Sequence, residues 1–189
     1  MRTRPLIALL GVLGALAGCT PPDGEKGPKD DEFNDHQVVG LAVVLTDHQV
    51  QVALALIERG ASLTQVHDFA VRIVADFTPA RDRLIALAAA QGLTIDQTTV
   101  EAQSHLIDTE EDIALIQPPV EGLKVDQVYF ADALHDLDKA LTVWDNTELL
   151  WVSNAALRDE LTATRAIFVD ALAAGRGLSQ QIGIAEKQD

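Results

Sequence analysis

Apolar residues recur along much of this chain at steps of three, four and seven, the spacing of one face of an α-helix. The clearest stripe starts near Leu63 and stops before Gly92, a residue suited to a helix C-cap. Its apolar positions are Val66, Ala70, Ile73, Phe77, Leu84 and Leu87. Pro79 interrupts this segment, which predicts either a kink or a second helix capped by Thr78.

Two later segments show the same spacing and predict helices over about 125–146 and 153–174. Ser153 or Asn154 suits the N-cap of the second of these. The first segment, 35–59, is less regular, because Val50, Val52, Leu54 and Leu56 alternate as in a strand. Its length exceeds that of usual strands and no pairing partner is evident, so helix is favoured there too.

The connection between the second and third of these helices is long and polar. It predicts one short helix over about 98–107 and a break at Pro118-Pro119. Four helices with one long connection between the second and third form the ferritin-like topology. The pattern therefore predicts an all-α, ferritin-like up-down four-helix bundle over residues 36–178, followed by a disordered tail over 179–189.

The N-terminus begins with two arginines and an apolar run that ends in Leu16-Ala17-Gly18-Cys19. The run is shorter than the roughly 20 residues that span a bilayer, so a signal peptide over 1–18 is favoured. Cys19 is the chain's one cysteine, and its setting resembles the lipobox of bacterial lipoproteins. A simple secretory signal, with Cys19 as a free thiol, is the alternative.

The lipobox resemblance implies that Cys19 is lipidated and anchors the protein to a membrane that it does not span. Residues 19–35 are rich in proline, glycine and charge, which predicts a flexible tether. Thr20 follows the cysteine, where lipoproteins of the inner membrane often carry Asp. This favours the outer membrane of the cell envelope, with the domain facing the periplasm.

The charge balance limits the partners of the mature chain. Residues 1–18 contain two of the 14 basic residues and none of the 29 acidic ones, so their removal leaves a net charge of −17. Such a surface opposes binding to nucleic acid or to anionic lipid headgroups. The predicted membrane contact is therefore the lipid anchor alone. An envelope protein partner is left open.

Two stretches carry a family resemblance: Val66 to Thr78, which reads VHDFAVRIVADFT, and Tyr129 to Leu137, which reads YFADALHDL. With them, residues 35–174 resemble a ferritin-like family of secreted bacterial proteins of unknown function, often labelled "predicted outer membrane protein". Members commonly have histidines where this chain has Phe77 and Leu137, and a third near Ile167. The resemblance implies that apolar core replaces any centre those histidines serve.

Few of the remaining ionisable residues suggest a site. Asp132 and His135, three apart on a predicted helix, are the weak candidates for metal ligands, and a solvated helix face is the favoured reading. Glu101 and His105, four apart, receive the same interpretation. The three other histidines, each beside an Asp in sequence, are interpreted as exposed: His36, His48 and His67.

Aromatic residues offer one further pattern. Trp144 follows the core spacing, whereas Trp151 and Tyr129 could mark a partner surface. With no catalytic residue, metal or cofactor indicated, the favoured hypothesis is a lipid-anchored envelope protein with a non-enzymatic structural or interaction role. The alternative is a metal-dependent redox or storage protein with an atypical site built on Asp132 and His135.

Overall fold

The computed structural model describes residues 33–148, 152–185 and 187, and within them the domain is all-α, without a strand. Its five α-helices are α1 (Asp35–Arg59), α2 (Thr64–Gln91), α3 (Val100–Leu115), α4 (Leu123–Val143) and α5 (Ala155–Ile182). A π-helical turn, Trp144–Glu148, follows α4 directly. The all-α prediction is confirmed.

The first helix, α1, lies at the centre of the domain and packs against each of the other four helices. Residues 38–50 of α1 are buried, apart from the half-buried Asp47, so more than one stripe of this helix packs in the core. Among the described helices it alone is long and apolar enough to cross a membrane, yet 78% of that apolar stretch is buried inside the domain. This is the pattern of a core helix.

The long helices pack in a ring in which α1 contacts α2, α2 contacts α5, α5 contacts α4 and α4 returns to α1. The third helix, α3, packs against α1 and α4. Inside the ring, Phe77 meets Phe168 edge-on with ring centroids 4.7 Å apart, and Trp144 packs on Phe168. These three side chains are fully buried, so the aromatic cluster joins α2, α5 and the end of α4.

The structure resolves the alternative at Pro79. Thr64–Gln91 forms one helix with Pro79 inside it, and Gly92 ends it in the left-handed conformation at φ 67°. The helix predicted over about 98–107 is longer than expected. Thr99 caps its start, and the helix continues to Leu115. Asn154, one of the two proposed caps, accepts the N–H of Leu157 at the start of α5.

The C-terminal prediction differs from the structure. The last helix was expected to end near Ala174 and the tail to be disordered from 179, but α5 continues to Ile182. Gly175 lies inside the helix and does not end it. It packs against Leu134 and Phe69, where a Cβ would be too close. Gly183 takes the left-handed cap at φ 71°, and Ile184 beyond it is 7% exposed.

Two helix starts are stabilised by carboxylates from distant parts of the chain. No side chain of its own caps α2, and Asp126 of α4 instead accepts the N–H groups of Ser62 at 2.9 Å and Leu63 at 2.6 Å. At the start of α5, Asp35 accepts the N–H groups of Ser153 and Asn154, both at 2.9 Å. Anionic acceptors at helix N-termini are favourable because the N–H groups there lack partners in the helix.

The predicted signal peptide, Cys19 and most of the tether lie outside the described residues. The tether prediction meets the described residues at Phe33, Asn34 and Asp35. Asn34 there forms a capping box with Gln37, so the helix begins at the predicted boundary.

Asp126→Ala is expected to lower the free energy of unfolding by about 2–4 kcal/mol, because it leaves two backbone N–H groups at the α2 start without an acceptor. Chemical denaturation of the purified protein measures this. Asp76→Ala is the control, since the Asp76 side chain is 43% exposed and pairs with Arg72 on its own helix. Its expected effect is within about 0.5 kcal/mol, and an equal loss in both variants would contradict the capping role.

Candidate functional site

The functional site begins with a polar residue in the apolar helix α1. His48 lies among valines and leucines and is 4% exposed. A buried imidazole is costly unless both ring nitrogens have partners. The neighbouring helices α3 and α4 provide them.

One carboxylate from each of these two helices faces the same ring nitrogen. His48 Nε2 lies 3.5 Å from Asp112 Oδ2 of α3 and 3.3 Å from Asp136 Oδ2 of α4. The three side chains are 3%, 12% and 12% exposed. Their ligand atoms all lie within 4.8 Å of one another. We call these three residues the His–Asp–Asp cluster.

The distances in the cluster are long for direct charged hydrogen bonds, which are typically about 2.7–2.9 Å between nitrogen and oxygen. They match the edges of a metal coordination shell instead. Tetrahedral ligands at about 2.0–2.2 Å from a metal are about 3.3–3.6 Å from each other. In addition, Asp112 Oδ2 is buried and forms no hydrogen bond, so the centre of the cluster has an acceptor without a donor.

The two carboxyl groups have opposite pKa shifts. Burial, together with the charge of Asp136, raises the pKa of Asp112 to about 7. Burial opposes ionisation of Asp136 too, but the His48 ring 3.3 Å away holds the pKa of that carboxyl below its usual value. Without a metal, the cluster is therefore balanced by a proton on the Asp112 side.

The other nitrogen of His48 is held by α3. Nδ1 lies 2.8 Å from Thr109 Oγ1, and the Thr109 hydroxyl donates to the carbonyl oxygen of His105 at 2.7 Å. The His105 ring stands edge-on to that of His48, with centroids 6.4 Å apart. One face of α3 thus supplies both an acidic ligand and the support for the histidine.

The two weak metal candidates lie beside the cluster and not in it. Asp132, one turn before Asp136, is paired with Lys187 at 3.1 Å. It contributes to a cavity of about 450 Å³ with Lys124 and Lys187. His135 lines a different cavity, of about 370 Å³, with Asp138 and Lys139. The structure gives these two residues separate surroundings.

The interpretation of His48 and His105 as surface residues was wrong, since both are 4% exposed. His36 and His67 are half-buried, and the acidic neighbour of His105 is Asp108 at 3.7 Å. The partner-surface reading of Tyr129 was also wrong, because it is 2% exposed. Trp144 is in the core as predicted, and Trp151 lies outside the described residues.

Two of the three positions at which the sequence resemblance leads us to expect histidine are core positions. Phe77 and Leu137 are fully buried in one cluster. Ile167 is only partly buried, and the next residue, Phe168, fills the interior instead. Apolar packing therefore occupies Phe77 and Leu137, while the buried polar groups lie elsewhere, between α1, α3 and α4.

A sequence signal for the cluster does exist in α1. Residues 38–50 are mainly valine, leucine and alanine, so this stretch is expected to be buried and a histidine in it to need partners. The sequence pair Asp47-His48 by itself does not show this. Asp112 and Asp136 come from helices whose pairing with α1 is not encoded in a local spacing.

No protein-family model, curated protein or solved structure matches this chain.

The His105 ring is expected to stay neutral well into the acid range. Burial, with the nearby Lys139 and His48, lowers its pKa to about 4. Because the unfolded chain binds this proton near pH 6.5, the stability from the neutral ring is complete above that pH. It is lost, by about 3 kcal/mol, as pH falls from 6.5 to 4.

NMR titration of the histidine rings measures this midpoint directly. The pH dependence of unfolding should be weaker between 4 and 6.5 in His105→Gln. A His105 midpoint near 6.5 would contradict the burial argument.

Proposed function

We propose that this protein is a lipid-anchored cell-envelope protein whose helical domain binds one first-row divalent metal ion at the His–Asp–Asp cluster. The observation that carries the proposal is the convergence of three helices on one point, where His48 Nε2 lies 3.5 and 3.3 Å from two carboxylate oxygens and all three atoms lie within 4.8 Å of one another. This supports the metal-binding alternative over a domain with no ligand site. The ligands differ from the Asp132 and His135 of that alternative.

The ligand chemistry narrows the class of metal. One imidazole and two carboxylates suit Zn²⁺, Mn²⁺ or Fe²⁺, whereas Ca²⁺ and Mg²⁺ prefer all-oxygen sites. The described residues around the cluster offer no thiolate, which disfavours a copper(I) site. Binding would also replace the proton held on the Asp112 side, since a metal requires both carboxylates ionised.

The burial of the cluster favours binding over catalysis. Its three side chains are between 3% and 12% exposed. The two cavities beside it along α4 are lined by Asp132 and by His135. A substrate resting in either would meet those side chains first. The role we propose is therefore metal storage, sensing or structural binding.

The bundle topology and the cellular location are part of the same proposal. The ring of α1, α2, α5 and α4, with α3 in the connection, supports a ferritin-like up-down four-helix bundle. The sequence Leu16-Ala17-Gly18-Cys19 supports a lipid anchor, and Thr20 supports an outer-membrane location facing the periplasm. The acidic surface gives no support for nucleic-acid binding.

The protein loaded separately with Zn²⁺, Mn²⁺ or Fe²⁺ and then desalted should retain about one equivalent of at least one of these metals by elemental analysis. Asp136→Asn should lose that metal, because it removes a ligand charge while conserving shape. Asp138→Asn is the matched control, since Asp138 lies on the same helix but is exposed and paired with Arg176 at 3.0 Å.

The double variant Asp132→Ala with His135→Ala distinguishes the two possible ligand sets. If the His–Asp–Asp cluster binds the metal, the double variant retains it. Loss of metal from this variant would show that Asp132 and His135 are the ligands instead. Wild-type protein with well under one equivalent of every metal tested would overturn the metal-binding function.

Cys19→Ala should abolish labelling of the protein by radioactive palmitate and leave its signal peptide uncleaved by lipoprotein signal peptidase. The reason is that both reactions require the cysteine thioether of the lipobox. Wild-type protein is the control in the same cells. Persistent labelling of the variant would contradict the lipid anchor.

A further inference from the structure

We infer that Thr109 is a positioning residue for the His–Asp–Asp cluster, which keeps the proton of His48 on Nδ1 and thereby directs Nε2 to the metal ion. This rests on the proposed metal-binding function. It assigns a role to a residue that is not a ligand and that sequence spacing does not indicate.

The single hydrogen of the Thr109 hydroxyl decides the direction of its bond to His48. A threonine hydroxyl carries one hydrogen, and that of Thr109 is used in the bond to the His105 carbonyl oxygen at 2.7 Å. The hydroxyl oxygen can therefore only accept from His48 Nδ1, 2.8 Å away. Nδ1 must carry a proton.

The opposite side of the His48 ring faces the two carboxylates. With Nδ1 protonated, Nε2 is the nitrogen available to bind a cation, and it is the atom that faces Asp112 and Asp136 at 3.5 and 3.3 Å. A ring rotated by half a turn about Cβ–Cγ would place the carbon Cε1 against the carboxylates and turn the carbon Cδ2 towards Thr109. The Thr109 bond disfavours that arrangement, because it would leave the hydroxyl without a donor.

Helix α3 holds both Thr109 and a ligand of the cluster. Thr109 and Asp112 are three residues apart on α3, so they lie on the same face of one helix. The carbonyl group that fixes the hydroxyl belongs to the preceding turn of that helix. Thus α3 holds the ligand carboxylate and the orientation of the histidine in one frame, as outer-shell partners of metal-bound histidines do.

The test combines Co²⁺ affinity with NMR of the whole purified chain labelled with ¹⁵N-histidine. In metal-free wild-type protein, His48 should show a slowly exchanging proton on Nδ1. Thr109→Val should lose that slow exchange and bind Co²⁺ about 10–100-fold more weakly, the usual effect of removing an outer-shell partner. Thr109→Ser should restore both properties, because it keeps the hydroxyl.

Thr162→Val is the control for removing a helical hydroxyl. Thr162 makes the same bond to a carbonyl one turn back, that of Arg158 at 2.8 Å, on a helix without cluster ligands. Its Co²⁺ affinity should equal that of wild type. A general effect of the Thr→Val change on helix stability would lower both variants together and overturn the positioning role.

Three other outcomes would overturn the inference, and they are distinguishable. Wild-type affinity for Co²⁺ in Thr109→Val, or a wild-type His48 without a proton on Nδ1, would refute Thr109 alone. Wild-type protein that shows the protected Nδ1 proton but binds no Co²⁺ would refute the metal function, and the positioning role with it. The NMR signal would then show that the Thr109 bond is present although the cluster binds no metal.

Discussion

Burial of α1 between Val38 and Val50 is the constraint on which the rest of this structure depends. A polar side chain buried in this stretch must be satisfied by its neighbours, since little water reaches it. His48 meets this requirement through α3 on one nitrogen and through α3 and α4 together on the other. The packing of three helices is thereby tied to the chemistry of one imidazole ring.

The same requirement explains why a cation would stabilise the cluster. Two carboxylates face one nitrogen in a largely dry interior, and one oxygen of Asp112 has no donor. A proton relieves this charge in part, which is why the pKa of Asp112 is raised to about 7. A divalent ion would relieve it more completely, because it attracts both carboxylates and the ring nitrogen at once.

Much of the fold could be predicted from the sequence, because helix periodicity and caps are local. The bounds of α1, the end of α2 at Gly92 and the capping of α5 by Asn154 follow from residues within a few positions of each boundary. The continuation of α5 past Gly175 could not be predicted, because that glycine is needed for contact with Leu134 and Phe69. The caps from Asp126 and Asp35 are likewise long-range.

The site was harder to predict than the fold for the same physical reason. Asp132 and His135 can be recognised as a pair in the sequence because they are three apart on one helix, whereas the residues that converge come from three helices. The burial of His48 could have been inferred from the apolar character of α1. Its partners could not, because they depend on how α3 and α4 pack against that helix.

Diffraction from crystals of Zn²⁺-loaded protein, collected at the zinc absorption edge, tests the central claim most directly. The account predicts an anomalous peak between α1, α3 and α4, about 2.0–2.2 Å from His48 Nε2 and from one oxygen each of Asp112 and Asp136. Zinc peaks at surface carboxylates, with none between these three side chains, would contradict it.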